Sequence, residues 1–515
     1  MVKPGDKTNV VRLDGMSLTI DDVINVVRNG YSVELDGDAV RRVEASSAAV
    51  KHWENSDDVV YGITTGFGDL ASVNISRKDR RLLQENLLKS HACGVGEPFP
   101  EDITRAMMLL RINSLVRGHS GVSLGVLNQF AAFLNLGIHP VVPCQGSVGA
   151  SGDLCPLSHL ALPLIGHGTV RYRGRKMASA RALQTAGLVP VQLGAKEGLA
   201  LNNGTAAMGA MAVIALHDAE WLAKTADIAA ALSIEALHGV PFAFDERTHA
   251  LRPHSGQGAV ARNIRRLIEG SEILEKHRSG KVQDAYSLRC VPQVHGATRD
   301  ALGYVRRTLE VEINSVTDNP IIFPDDGVAI SGGNFHGQPL ALAMDFFGIA
   351  VAELASISER RQARLVDTSL SGLPPFLVEN SGLNSGFMIA QYTSAALVSE
   401  NKVLAHPSSV DSIPTSANQE DHVSMGAYSA RKGLSILDNV RKVIAIELLA
   451  GSQALDFSRL LKPGAGTTAA HDCVRGAVPY LKHDEFLHPL MERVEALVVR
   501  GAMVKSVEEA IGALD

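Results

Sequence analysis

Three stretches of this chain, residues 205–238, 340–372 and 424–456, each run for more than thirty residues without a proline. Proline inside a helix removes a backbone hydrogen bond and clashes with the preceding turn, so its absence over such lengths leaves long helices open to the chain. A helix of roughly 30 residues is about 45 Å long at 1.5 Å per residue, longer than an average globular helix. Helices of that length need parallel neighbours, and an elongated bundle supplies them both within one chain and between chains. In residues 340–372, Leu342, Phe346, Ile349, Leu354 and Ile357 keep a helical apolar stripe, while Glu353, Arg360 and Arg364 mark other faces.

The first sixty residues differ. They alternate short β-branched runs, Val10 to Leu13 and Tyr31 to Leu35, with helical patterns, and Thr19 followed by Asp22 resembles an acidic capping box opening a helix that Gly30 closes. The expected fold is therefore mainly α: an elongated bundle of long helices with a small mixed α/β N-terminal region. Residues 1–200 are expected to form an N-terminal lobe and residues 201–515 a long-helix bundle lobe, the two working as one continuous catalytic unit. There is no repeat at solenoid period and no low-complexity tract.

A net charge of −6 gives no bias toward polyanions and argues against a nucleic-acid partner. The opening residues lack an apolar signal core, and the most apolar long stretch, 205–238, is broken by Asp218, Glu220, Lys224, Asp227 and Glu235. Both secretion and a membrane partner are disfavoured. Five cysteines, at 93, 144, 155, 290 and 473, are scattered and odd in number, as reduced cytoplasmic thiols are. The 18 histidines include no HExxH and no short-spaced ligand set, so no metal is expected. The glycine-rich stretches at 94–96 and 462–468 match neither nucleotide-binding pattern.

Residues 145–163 read QGSVGASGDLCPLSHLALP. Gly152 has no Cβ to block approach of its nitrogen to the Ala150 carbonyl, Ser151 carries a hydroxyl that can leave as water, and Gly146 and Gly149 allow unusual dihedrals. Ring closure and dehydration of Ala150, Ser151 and Gly152 would make a 4-methylidene-imidazol-5-one, an electrophile that no ordinary side chain provides. Taken alone, a Gly/Ser-rich turn before an apolar helix is the commoner meaning of such a segment.

The segment does not stand alone. GSVGASGDL resembles the cofactor-forming motif of the aromatic amino acid ammonia-lyase and aminomutase family, and further segments agree in order: YGITTGFGDL (61–70), SHACGVGEP (90–98), LALNNGT (199–205), QDAYSLRC (283–290), SVTDNP (315–320), SGGNFHGQP (331–339) and SANQEDHVSMG (416–426). The resemblance implies a mainly helical homotetramer whose active sites draw on three chains, with no external cofactor. It assigns the electrophile to Ala150, Ser151 and Gly152 and the β-proton to Tyr61, a phenol whose ordinary pKa of about 10 makes it a weak base. Arg289 is matched to the substrate carboxylate, which suits a guanidinium fork. Tyr286 is matched to the reacting centre, Gln283 to the polar wall, Asn203 to the carboxylate or the ring oxygen, and Phe335 to the pocket lining.

Substrate choice turns on two places. Ser90-His91 and Asn418-Gln419-Glu420 take the form of the family's histidine-acting members, whereas members acting on phenylalanine or tyrosine differ at both. An imidazole has two nitrogens needing partners, which a carboxylate at 420 and a second imidazole at 91 supply; a phenyl ring would leave both unsatisfied. The expected reaction is non-oxidative deamination of L-histidine to trans-urocanate and ammonia, the first step of histidine degradation. The alternatives are a phenylalanine or tyrosine ammonia-lyase or a 2,3-aminomutase of the same family, and a catalytically silent helical scaffold. Val291, Asn202, Gln338 and Cys155 depart from the histidine-acting pattern, and Val291 removes a hydrogen-bonding group close to Arg289.

Overall fold

A computed structural model describes residues 9–56, 60–66, 68, 75–278, 280–458 and 460–515. The chain is mainly α-helical, and its long helices run Ala206–Ala236, Gln338–Val366 and Gly426–Leu455. The second ends earlier than the proline-free stretch allows. Asp367 is extended (φ −92°, ψ 111°) and its carboxylate accepts from Ser369 N, which restarts the chain as the short helix Thr368–Ser371.

Contacts divide the chain into two compact units, each assembled from three separate stretches of sequence. One unit comprises Met1–Ile214, Arg306–Asp345 and Pro407–Arg431; the other comprises Ala215–Val305, Phe346–His406 and Lys432–Asp515. Four of the boundaries fall inside helices, including all three long ones, so a division along the sequence cannot separate the units.

The first unit opens as expected. Val10–Leu13 pairs in parallel with Ser32–Leu35, and helix Ile20–Arg28 connects them. Both bonds of the Thr19/Asp22 capping box form, and Ile20, Val23, Ile24, Val26 and Val27 are buried. Small strand pairs also occur further on: Val95–Pro98 with Pro143–Gln145, a three-stranded sheet of Ile138–Pro140, Thr169–Tyr172 and Arg175–Ala178, and a hairpin of Ile321–Phe323 with Val328–Ile330. Helix Glu101–Leu115 runs through the core, buried from Ile103 onward apart from Arg105.

In the second unit two of the charges that interrupt 205–238, Asp227 and Glu235, are paired in the interior, as is Glu447. Asp227 is fully buried and accepts from His295 (2.8 Å), Arg299 (2.7 Å) and Asn263 (3.0 Å). Glu235 accepts from Gly464 N and the Thr467 hydroxyl, and Glu447 takes Arg361 and the Ser233 hydroxyl. A lone buried carboxylate would be prohibitively costly, and each of these is paired.

The stripe on Gln338–Val366 splits. Leu354 and Ile357 are buried, but Leu342, Phe346 and Ile349, spaced to share one face, are 48%, 45% and 43% exposed. By length and composition this helix could cross a membrane, yet 67% of its most apolar window is buried, as in a core helix.

Candidate active site

The tripeptide 150–152 is held by backbone in the first unit. Gly152 (φ 76°) bridges to Gly204, with Gly204 N donating to Ser151 O (3.1 Å) and Asp153 N to Gly204 O (2.7 Å). A Cβ on Gly152 would lie 2.1 Å from Gly204 O, so glycine alone fits there. Ser151 is itself left-handed (φ 49°), which is uncommon for a residue with a side chain. On the other side, Val148 O accepts from Met425 N (2.9 Å), and a Cβ on Gly149 would strike Ser424 Oγ.

Asp153 anchors the turn. Its Oδ2 accepts from Ala207 N (3.0 Å) and Met208 N (2.8 Å), the first turn of helix Ala206–Ala236, where a helix presents unpaired N–H groups. Burial pushes its pKa up to about 7, against the lowering effect of these bonds and of Ser147. Beside it a cavity of about 60 Å³, bordered by Gly146, Ser147, Asp153, Met211 and Arg431, is too small for an amino-acid substrate.

The Ser151 hydroxyl donates to Glu420 Oε1 at 3.3 Å, across 269 residues of sequence. Glu420 is clamped in turn. Its Oε2 accepts from the Thr415 hydroxyl (2.8 Å), and the backbones of 415 and 420 exchange bonds at 3.0 and 3.3 Å. Between them Ser416, Ala417 and Asn418 are all left-handed, with φ of 49°, 53° and 64°. Tyr61 approaches this loop through Gly68: its hydroxyl accepts from Gly68 N (3.2 Å), and a Cβ on Gly68 would lie 2.8 Å from Ser416 Oγ.

His91 ends helix Arg80–His91 with its Nδ1 against the Ser90 hydroxyl (2.9 Å). Burial lowers its pKa, opposed by a bond to the Leu87 carbonyl and by the charge of Glu420. Phe335 is half-buried, next to His336, whose ring lies near that of His422 (5.9 Å) in the Glu420 segment. Asn203 is buried, and both protons of its Nδ2 are taken, by Asp318 Oδ1 (3.1 Å) and Asn319 O (3.0 Å). Its Oδ1 has no partner among the described residues.

The other matched residues belong to the second unit. Gln283 is exposed and Tyr286 is 71% exposed at the start of helix Tyr286–Arg289. Arg289 lies over the Tyr286 ring at 4.7 Å, and its Nε, buried within the chain, has no partner among the described residues. Val291, next along, is fully buried, so its side chain occupies core and not a polar site. Asn202 donates to Ser158 Oγ (3.0 Å), Gln338 to Ser409 O (3.3 Å), and Cys155 packs beside Gly94 and Gly146.

Sequence reasoning gave no role to Asp153, Thr415, Lys196 or Asp318. Asp153 and Asp318 lie inside quoted motifs, and acids there are a visible signal; Lys196 carries none, since a lone lysine reads as surface.

A tripeptide of small residues in a left-handed turn, its serine bonded to the Glu420 carboxylate, defines the class. The chain belongs to the aromatic amino acid lyase family, which matches residues 18–476. It is 53% identical over 501 residues to histidine ammonia-lyase of Alkaliphilus oremlandii, covering 97% of this chain and 99% of that one. Among solved structures it resembles histidine ammonia-lyase from Trypanosoma cruzi (TM-score 0.91, 42% identity, 98% of this chain and 96% of that one). It also resembles tyrosine aminomutase from Streptomyces globisporus (TM-score 0.93, 38% identity, 98% and 100%).

Proposed function

We propose that this chain removes ammonia from L-histidine without oxidation, giving trans-urocanate, by way of a methylidene-imidazolone made from Ala150, Ser151 and Gly152. The observation that carries this reading is the 3.3 Å approach of Glu420 to Ser151, which sets the carboxylate of a histidine-type segment beside the serine of the tripeptide. The residues present fit the ring: a left-handed Ser151 and Gly152, a contact at Gly204 that excludes any Cβ, and, at the atom that must leave, a hydroxyl bonded to the Glu420 carboxylate and to no backbone group among the described residues. Once formed, the ring supplies an electron-poor alkene that takes up the substrate amine.

Every other part of the work falls to side chains of the chain. Tyr61, its oxygen fixed by Gly68 N–H, takes the β-proton. When the Ser151 hydroxyl leaves as water, Glu420 Oε1 loses that donor and is free to accept from the imidazole N–H. His91, kept neutral at neutral pH by its lowered pKa, has Nδ1 at Ser90 and offers Nε2 to the substrate's far edge. Arg289 grips the carboxylate with its planar fork, Tyr286 stands at the reacting centre, Gln283 forms the polar wall and Phe335 lines the pocket.

The assembly we propose is a homotetramer with active sites shared between chains. The exposed apolar face of Leu342, Phe346 and Ile349 and the exposed Tyr286 support this, because such surfaces are ordinarily covered by a partner. All five cysteines are free thiols, in keeping with a cytoplasmic enzyme. The test is to mix purified protein separately with histidine, phenylalanine and tyrosine and follow the absorbance of the conjugated acids. Product from histidine is expected; product from phenylalanine or tyrosine in preference to it overturns the assignment.

A further inference from the structure

Lys196 and Asn203 bracket the helix Glu197–Asn202, and both reach the same carboxylate. Lys196, left-handed at φ 65°, donates through Nζ to Asp318 Oδ2 at 2.7 Å, with both side chains wholly buried. Asp318 Oδ1 accepts from Asn203 Nδ2 and from Asn319 N (2.7 Å). Arg111, buried and bonded to Ala200 O, adds a second positive charge acting on Asp318. The neighbouring acid, Glu197, turns instead to Ser123 N and Gly194 N.

These contacts fix which way the Asn203 amide points. A flipped amide would set its oxygen against a carboxylate oxygen and a carbonyl oxygen, exchanging two hydrogen bonds for two lone-pair contacts. The next residue, Gly204, is bonded through its backbone to Ser151 of the tripeptide and to Asp153, and the only Asn203 amide atom without a partner among the described residues is the buried acceptor Oδ1. A buried acceptor without a donor is unfavourable. A substrate carboxylate has no proton to give it; a substrate amino group does.

We infer that the Lys196–Asp318 ion pair is a positioning pair that locks Asn203 with Oδ1 toward the substrate, so that Asn203 receives the substrate's amino group and not its carboxylate. The inference rests on the deamination reading above and assigns to Asn203 the opposite hydrogen-bonding role from the one its motif implies. It also gives a function to a lysine and an aspartate buried where apolar side chains would pack as well.

The test separates the two ends of the substrate with histamine, which has the amine and no carboxylate, and imidazolepropionate, which has the carboxylate and no amine. Binding of each to the intact enzyme is measured by calorimetry for wild type, Lys196→Met and Asn203→Ala. Both variants are expected to weaken histamine by about tenfold or more, the loss of a charge-assisted bond, and to leave imidazolepropionate unchanged. Equal weakening of both probes, or of imidazolepropionate alone, overturns the proposal. A split in Asn203→Ala with none in a folded Lys196→Met overturns the positioning role. If thermal melting shows Lys196→Met to be unfolded, Asn203→Ala alone decides between amine and carboxylate. If wild type ignores the imidazole probes but binds phenethylamine and phenylpropionate, the histidine reading fails, and the same split on that pair still judges Asn203. Wild type that binds neither amine contradicts the inference outright.

Discussion

Ser151 sits in a backbone that tolerates almost no alternative: glycine is forced at 152, the turn is bonded to Gly204, and Glu420 is clamped by Thr415 around three left-handed residues. Tyr286 and Arg289, matched to the same reaction, lie on a four-residue helix with the tyrosine 71% exposed and the Arg289 Nε unpartnered among the described residues. Left-handed residues with side chains cost about 1–2 kcal/mol each, so the loop 416–418 stores strain that the Thr415–Glu420 clamp offsets. Among the described residues, the Tyr286 ring is met only by the Arg289 guanidinium. The difference teaches that the tripeptide side of the proposed site is held rigidly by backbone within its unit, while Tyr286 and Arg289 present an exposed ring and an unpartnered buried Nε among the described residues.

The sharpest way to break this comparison is at Glu420. Glu420→Gln keeps shape and the Thr415 contact but removes the charge; the lost charge-assisted bond lowers kcat/KM for histidine by roughly one to two powers of ten, and a larger loss places Glu420 in the chemistry. A variant with wild-type kinetics means the preorganised loop serves something other than substrate. Arg289→Lys addresses the open half. Replacing a planar fork by a point charge should raise KM about tenfold with a smaller effect on kcat, and a kcat loss without a KM change removes Arg289 from carboxylate binding.

A smaller effect is expected at the floor of the rigid half. Asp153 has a folded pKa raised from 3.8 to about 7 by burial, so the folded state binds a proton that the unfolded state releases near 3.8. The stability it contributes is complete below that value and is lost as pH rises toward about 7. Asp153→Asn, which resembles the protonated form, should therefore gain in Tm relative to wild type between pH 4 and 7, the difference levelling above. A difference that shrinks with rising pH shows that the Ala207 and Met208 N–H bonds keep the carboxylate charged.

Much of this was legible in the residues, for identifiable reasons. The long helices were visible because proline is absent, and their observed ends, Ala206–Ala236 and Gly426–Leu455, fall within two residues of the stretches. The break at Asp367 was not, because it depends on one side chain capping the next turn. The 342–357 stripe was legible but its burial was not, since periodicity marks an apolar face without saying whether the same chain covers it. In the candidate site the motifs single out Ser151 and Glu420, which the fold brings within 3.3 Å, but the Asn203 amide is set by Asp318, 115 residues away, and no local pattern encodes which of its atoms is left without a partner. The division into contact units runs through helices, where no local sequence signal marks a boundary.

On the proposed function, Ser151 and its neighbours become the electrophile of a histidine-deaminating enzyme. Intact mass and histidine turnover measured on one purified sample test it most directly. Wild type should be active and lighter than its encoded sequence by the mass of two waters, one from ring closure and one from serine dehydration, while Ser151→Ala should lose nearly all activity. An active wild type of unmodified mass would contradict the account.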